Sequence, residues 1–364
     1  VNSNAITRRG FARATLLGGV GAAVALVGHA QDGAMPAPTD LVTTETQMAI
    51  NRGLAYLARS QRNDGSYDDN SGPNAAIVGL AGLALMAGGH QPGRGEYGKI
   101  VSRAMDYLLL KSATGSPVGY INGGENAFQH GGGMYQHGFA TLFLAELYGM
   151  MPTANRQRRL RDALEKATAV IVRSQNKLGG WRYDPRPSEA DVSVTVAQLM
   201  ALRAARNAGL FVPKSTIDAG VKYIKGCQLE DGGYTYMVGT NQGSLFPRSA
   251  AALVGLFSAG IYDGDVIDRS VKYLKRFVPA KRGFNDMASE RYYYYAHYYA
   301  ALAMWTAGGT AWAEWFPAIR DDLIARSQGP GNIWADFGHG PSYATAMACI
   351  ILQLPNNYLP ILQK

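Results

Sequence analysis

Between Thr46 and Gln353 the chain alternates two kinds of segment. The first kind mixes charges with apolar residues at helical spacing. In 46–60, Ile50, Leu54 and Leu57 recur every three or four positions, which predicts an amphipathic helix. The matching stretches are 98–111, 160–175, 216–228, 265–277 and 316–327. The second kind is apolar on most faces and rich in Ala and Gly: 74–87, 134–149, 192–208, 249–259, 292–307 and 342–353. A helix that is apolar all round is buried on most sides, and its small residues let neighbouring axes approach closely. Six such helices predict an inner ring, with the six charged helices outside it. The expected fold is all-α, an (α/α)6 toroid of six helix-pair repeats spanning 44–364.

The junctions repeat as well. Gln61-x-x-x-Gly65-Ser66-Tyr67, Gln175-x-x-x-Gly179-Gly180-Trp181 and Gln228-x-x-x-Gly232-Gly233-Tyr234 share one spacing, and Gln328, Gly331 and Trp334 follow it. Gly119-Tyr120 and Gly283-Phe284 are degenerate copies. The aromatic positions 67, 120, 181, 234, 284 and 334 step by 53, 61, 53, 50 and 50 residues. A near-constant period of this length marks a stacked or closed repeat architecture. Each Gly-rich turn follows a charged helix, where Gly permits the positive φ of a helix stop.

Composition narrows the function. Only 17% of the 364 residues are charged while 47% are hydrophobic, and 44 are Gly; a disordered chain is excluded. Cys227 and Cys349 are too few for a disulfide framework, and no CxxC or Cys/His cluster suggests zinc. Thr7-Arg8-Arg9-Gly10-Phe11, the apolar run Ala14–Val27 and the small-x-small Gly28-His29-Ala30 predict a cleaved twin-arginine export signal over 1–30, with a linker at 31–43. The run is too short to span a bilayer. A periplasmic or extracellular protein is expected, with no integral membrane segment after signal removal. Loss of Arg8, Arg9 and Arg13 lowers the net charge from +8 to +5, too dilute for nucleic-acid binding.

The repeat resembles the QW-type motif of the squalene cyclase and protein prenyltransferase superfamily, over residues 46–354 and most closely at Gly179-Gly180-Trp181. More narrowly, Met134–Met150, Asp191–Ala205 and Tyr343–Pro360 resemble secreted bacterial prenyltransferase/squalene-oxidase-repeat proteins. The resemblance implies a terpenoid-type ligand. Squalene cyclases have two helical domains where this chain has room for one, and prenyltransferase β chains need a separate α subunit.

A toroid of alternating helices gathers the inner-helix N-termini at one mouth. That places Asn74, Gln136, His137, Asp191, Ser193, Arg248, Tyr294, His297 and Tyr343 together as candidate cavity residues. The third inner helix opens Asp191-Val192-Ser193-Val194-Thr195. The resemblance aligns this with Asp-x-Asp-Asp-Thr of class II cyclases, whose middle Asp protonates a polyene, and with Asp-x-Cys-Tyr-Thr of zinc prenyltransferases. Ser193 stands at the position of that acid and that thiolate. A hydroxyl neither protonates an alkene nor matches the usual zinc ligands. Asp191 is the remaining catalytic candidate, and an Asp opening an apolar helix is equally an N-cap.

Tyr292–Tyr295 with Tyr298 and Tyr299 surround His297, and at most two of the four consecutive tyrosines can face a cavity. They suit an aromatic wall or a wide helix–helix gap. His130 and His137 with Asp191 and His297 form a metal set only in principle, because no His-x3-His spacing supports one. No metal or cofactor is expected. Glu146, on the face of its helix opposite His137, is expected to pair with an outer-helix base. The sequence therefore points to a toroid binding an apolar small molecule or a partner protein at its central cavity. The alternatives are a class II cyclase-type isomerase using Asp191, and a carbohydrate-active lyase or hydrolase, which needs paired carboxylates or a Tyr/His base with an Arg.

Overall fold

The computed structural model describes residues 41–123, 132–279, 290–327 and 332–362. The expected signal, nearly all of the expected linker, and His130, Gly283-Phe284, Gln328 and Gly331 lie outside the described residues. Among the described residues six outer helices, α1 (Thr44–Ser60), α3 (Gly98–Thr114), α5 (Ala154–Arg173), α7 (Lys214–Gly226), α9 (Asp265–Leu274) and α11 (Gly309–Arg326), alternate with six inner ones. The inner helices are α2 (Ala75–Ala87), α4 (Gly133–Glu146), α6 (Val192–Asn207), α8 (Phe246–Ser258), α10 (Tyr293–Ala307) and α12 (Gly340–Gln353). A two-residue hairpin, β1 (Asp68–Asp69) with β2 (Gly72–Pro73), precedes α2.

Each inner helix packs on its two neighbours in the order α2, α4, α6, α8, α10, α12, and α12 returns to α2. The ring is closed, and the fold is the (α/α)6 toroid. Outside, Arg320 of α11 donates to Leu41 O (3.2 Å) just ahead of α1, and Asn70 donates to Phe337 O (2.8 Å), joining first and last repeats. Close approach within the ring needs small residues: a Cβ on Gly79 would lie 2.7 Å from Phe139 O of the adjacent helix.

The repeat motif is a set of clamps. Gln175 Nε2 donates to Gly179 O (2.7 Å) in its own turn and to Thr216 O (2.8 Å) in the next outer helix. Gln61 does the same with Gly65 and Ile100, and Gln228 reaches Val266. In three of the turns the aromatic residue donates back to its own outer helix: Tyr67 to Leu57 O, Trp181 to Ile171 O and Trp334 to Leu323 O; the Tyr234 hydroxyl instead meets Ser270 of the next outer helix. Gly179 has φ +93° and sits where a Cβ would be 2.4 Å from Ala219 O. Both conformation and space therefore demand Gly.

Two outer helices begin earlier than their periodicity predicts. The first turn of α5 is polar apart from the exposed Ala154, so its apolar period starts only at Leu160, while Thr153 caps it by accepting from Arg156 N. Helix α11 runs from Gly309 through Pro317, with Trp312 and Trp315 buried ahead of the proline.

Two findings change the expected open centre. Phe139 of α4 and Tyr298 of α10, on opposite sides of the ring, bring their rings to 6.2 Å, so side chains fill the middle. At the end where the inner helices finish, the chain beyond α12 crosses the ring. It runs through Leu354–Asn356 to Pro360–Leu362, which packs on α6 opposite α12. Leu359 and Ile361 are buried, and Ile361 N–H donates to Glu146 Oε2 (3.3 Å). The buried Glu146 thus holds this C-terminal strap. No helix among the described residues is long and apolar enough to cross a membrane.

Candidate functional site

The inner-helix N-termini converge on the mouth opposite the strap. There Tyr135 (α4), Ser193 (α6), Tyr295 (α10) and Tyr343 (α12) face one another, joined by Tyr183 and Tyr236 from the loops before α6 and α8. Tyr135, Tyr183, Tyr236 and Tyr295 lie deep in the ring yet stay partly accessible, which makes this a recess rather than solid core. Burial holds the Tyr135, Tyr295 and Tyr343 phenols well above their ordinary value, so they are neutral donors.

Asp191 forms one wall of the recess. As the N-cap of α6 it accepts from Val194 N through Oδ1 (2.9 Å), as the sequence suggested. The carboxyl is completely buried, and burial pushes its pKa up to about 6, against the pull of the Val194 N–H, Arg182 and the Tyr236 hydroxyl. Tyr236 lies close enough to favour the carboxylate, yet no described group completes a hydrogen bond to Oδ2. Tyr236 and Tyr183 join hydroxyl to hydroxyl. Two guanidiniums flank Tyr236: Arg182, paired with Glu189 (2.7 Å), and Arg248, whose Nε donates to Tyr234 O (2.9 Å). Burial lowers the Arg248 value.

Of the residues expected here, Asp191, Ser193, Arg248 and Tyr343 meet at the recess. Asn74 lies at the same end but caps α2, accepting from Ala76 N, and donates to Asp69. Gln136 Oε1 accepts from the Ala75 and Gly123 N–H groups. His137 turns away from the recess: Nδ1 accepts from Ile121 N (3.1 Å) and Nε2 meets Ala167 O of α5 (3.1 Å). Burial lowers its pKa to about 4, so it is a neutral strut between the rings. His297 likewise packs among Phe246, Tyr293 and the outer-helix Trp315. Tyr294 lies against the loop at Ala335 and Asp336; its neighbour Tyr295 faces the recess.

The misplacement has a readable cause. Thr195 accepts from Trp181 N, Ser249 from Tyr234 N and His137 from Ile121 N, so these positions face the outer loops. Two residues earlier on the same helices stand Ser193, Pro247 and Tyr135. The same offset from His297 and Thr345 gives Tyr295 and Tyr343. That register identifies the inward set. Tyr183, Tyr236 and Arg182 were missed too, although Trp181-Arg182-Tyr183 and Tyr234-Thr235-Tyr236 repeat an aromatic-x-Tyr pattern.

Among the described residues no three His, Cys, Asp or Glu side chains are placed to hold a metal. A separate groove of about 760 Å³ lies at the ring's outer surface, between Phe257, Ile267 and Val271 and the α10–α11 turn. Its Lys275 already meets Thr310 and Glu314.

No protein-family model matches the chain, and no curated protein matches it in sequence. Solved structures do match in fold. The type II terpene cyclase MstE from Scytonema, in complex with geranylgeranyl dihydroxybenzoate, is 14% identical with a TM-score of 0.59, over 87% of this chain and 98% of that one. An unsaturated glucuronyl hydrolase specific for heparin is 12% identical with a TM-score of 0.57, over 86% and 96%. An alpha-amylase from Clostridium perfringens is 11% identical with a TM-score of 0.58, over 84% and 97%. The likeness extends to the α/α toroid and stops there.

Proposed function

We propose that the chain binds a small molecule with an apolar, isoprenoid-like body in the tyrosine-lined recess. The observation that carries this reading is the convergence of tyrosines from opposed inner helices and two loops on a depression walled by the buried Asp191 carboxyl. Aromatic faces suit an unsaturated chain, and a few placed polar groups suit its orientation. The cyclase of the same fold takes geranylgeranyl dihydroxybenzoate as substrate, which supports an isoprenoid-like body. Glycoside cleavage needs two carboxylates flanking one bond; among the described residues Asp191 is the one buried carboxylate at the recess, while Asp336, which acts on Tyr343, accepts from its own turn at Gly338 and His339, and this weighs against the carbohydrate reading. In a thermal-shift titration geranylgeraniol raises the melting temperature, and native mass spectrometry shows a one-to-one complex. An unchanged melting temperature together with no complex would contradict the proposal.

One observation favours a second reading, a class II cyclase-type isomerase. Burial raises the Asp191 pKa to about 6, so near neutrality a fraction of the carboxyl remains an acid. Against this, Ser193 occupies the position of the cyclase acid. Incubation with a polyene followed by product analysis separates the two readings. Turnover lost in Asp191→Asn supports the isomerase; no product from the wild-type chain ends it.

A further inference from the structure

Three polar atoms around the recess have no hydrogen-bond partner among the described residues: Asp191 Oδ2 and the hydroxyls of Tyr295 and Tyr299. Asp191 and Tyr299 are wholly buried. Ser193 and Tyr135 lie beside Tyr295, Tyr295 beside Tyr299 and Tyr236 beside Asp191, in each case without reaching hydrogen-bond geometry. Buried polar groups are nearly always satisfied, because leaving water without a new partner is costly. Other unpartnered atoms, such as Ser112 Oγ and Thr168 Oγ1 on outer helices, are distributed through the packing. Here Tyr295 is the shared neighbour of the other two. Tyr295 and Tyr299 are one turn apart on α10 with ring centroids 4.8 Å apart, and Asp191 acts electrostatically on Tyr295.

Given the binding reading above, we infer that this trio receives the oxygen of an uncharged hydroxyl head group on the ligand. The donor and acceptor inventory fits: a hydroxyl offers two lone pairs and one proton. Its lone pairs accept from the two phenols, and its proton goes to Asp191 Oδ2. A hydrocarbon leaves all three atoms unsatisfied. A diphosphate brings negative charge beside a buried carboxylate and more acceptor oxygens than these two phenols can serve.

The test is equilibrium binding of three probes to the full chain: geranylgeraniol, the matching hydrocarbon without the hydroxyl, and geranylgeranyl diphosphate. Geranylgeraniol is expected to bind at least about tenfold more tightly than either of the others. Tyr295→Phe and Tyr299→Phe, which keep the ring, are each expected to remove most of the alcohol's advantage and leave the hydrocarbon's affinity unchanged. Equal binding of alcohol and hydrocarbon overturns the head-group inference and leaves the apolar recess standing. Tighter binding of the diphosphate overturns it in favour of an anionic head. Equal weakening of alcohol and hydrocarbon in both Phe variants makes the tyrosines packing residues and overturns it as well. Failure of all three probes to bind removes the underlying reading too.

Discussion

Asp191 and His137 are both buried titratable groups, and burial moves them in opposite directions. Asp191 is raised from 3.8 to about 6. Below pH 3.8 its carboxyl is protonated in folded and unfolded chains alike; as pH rises through 6 the folded state must ionise a buried acid, and stability is lost. Asn keeps the N-cap, so Asp191→Asn isolates the effect. Between pH 4 and 7 the wild type should lose up to about 3 kcal/mol relative to the variant, read by denaturant titration. His137 is lowered from 6.5 to about 4, so its contribution is intact above 6.5 and is lost as pH falls through 4. Replacing it with Gln should flatten that acid limb. Parallel pH profiles for wild type and either variant would contradict the corresponding assignment. At this scale the sequence was legible where chemistry is local, as in the Asp191 cap. It was not legible where the facing of a helix decides, because Tyr294 and Tyr295 are adjacent and only tertiary packing selects between them.

The helices were readable because each keeps one role along its length. Outer helices show an apolar stripe, inner helices are apolar on most faces, and Gly punctuates each pair. Their starts were less legible where a polar first turn or an internal proline hides the period, as at Ala154 and Pro317. The turn glycines give a sharp test of why the punctuation exists. Gly179 and Gly209 both have positive φ, +93° and +83°, but only Gly179 meets the neighbouring backbone, while Gly209 has open space. Gly209→Ala should cost about 1–2 kcal/mol from conformation alone. Gly179→Ala should cost about 1–3 kcal/mol beyond that, because the Cβ overpacks against Ala219 O. Equal losses in thermal or denaturant unfolding would mean that the clamp between successive outer helices tolerates a shift.

For the molecule as a whole, the repeat period disclosed a closed ring but not what fills it. Aromatic side chains meeting across the centre are a property of opposite helices, far apart in sequence, and no local pattern encodes them. Nor does the period describe the strap, which falls after the last repeat. With the strap across one end, the binding proposed above takes place through the tyrosine-lined mouth at the other. Truncation after Asn356 exposes what Leu359 and Ile361 now cover, and should lower stability by roughly 3 kcal/mol. Geranylgeraniol affinity should be retained if the truncated chain is still folded. An unchanged melting temperature would show that the strap is not a structural closure.

The central claim is that the recess at Ser193 is where a ligand sits. Ser193 is nearly buried between the tyrosines, so Ser193→Trp fills the recess from α6 without touching the repeat clamps. The most direct measurement is the geranylgeraniol dissociation constant of this variant beside wild type, with the melting temperature confirming a folded ring. The account predicts a loss of affinity of at least about a hundredfold. Wild-type affinity in the folded Trp variant would place the ligand elsewhere and contradict it.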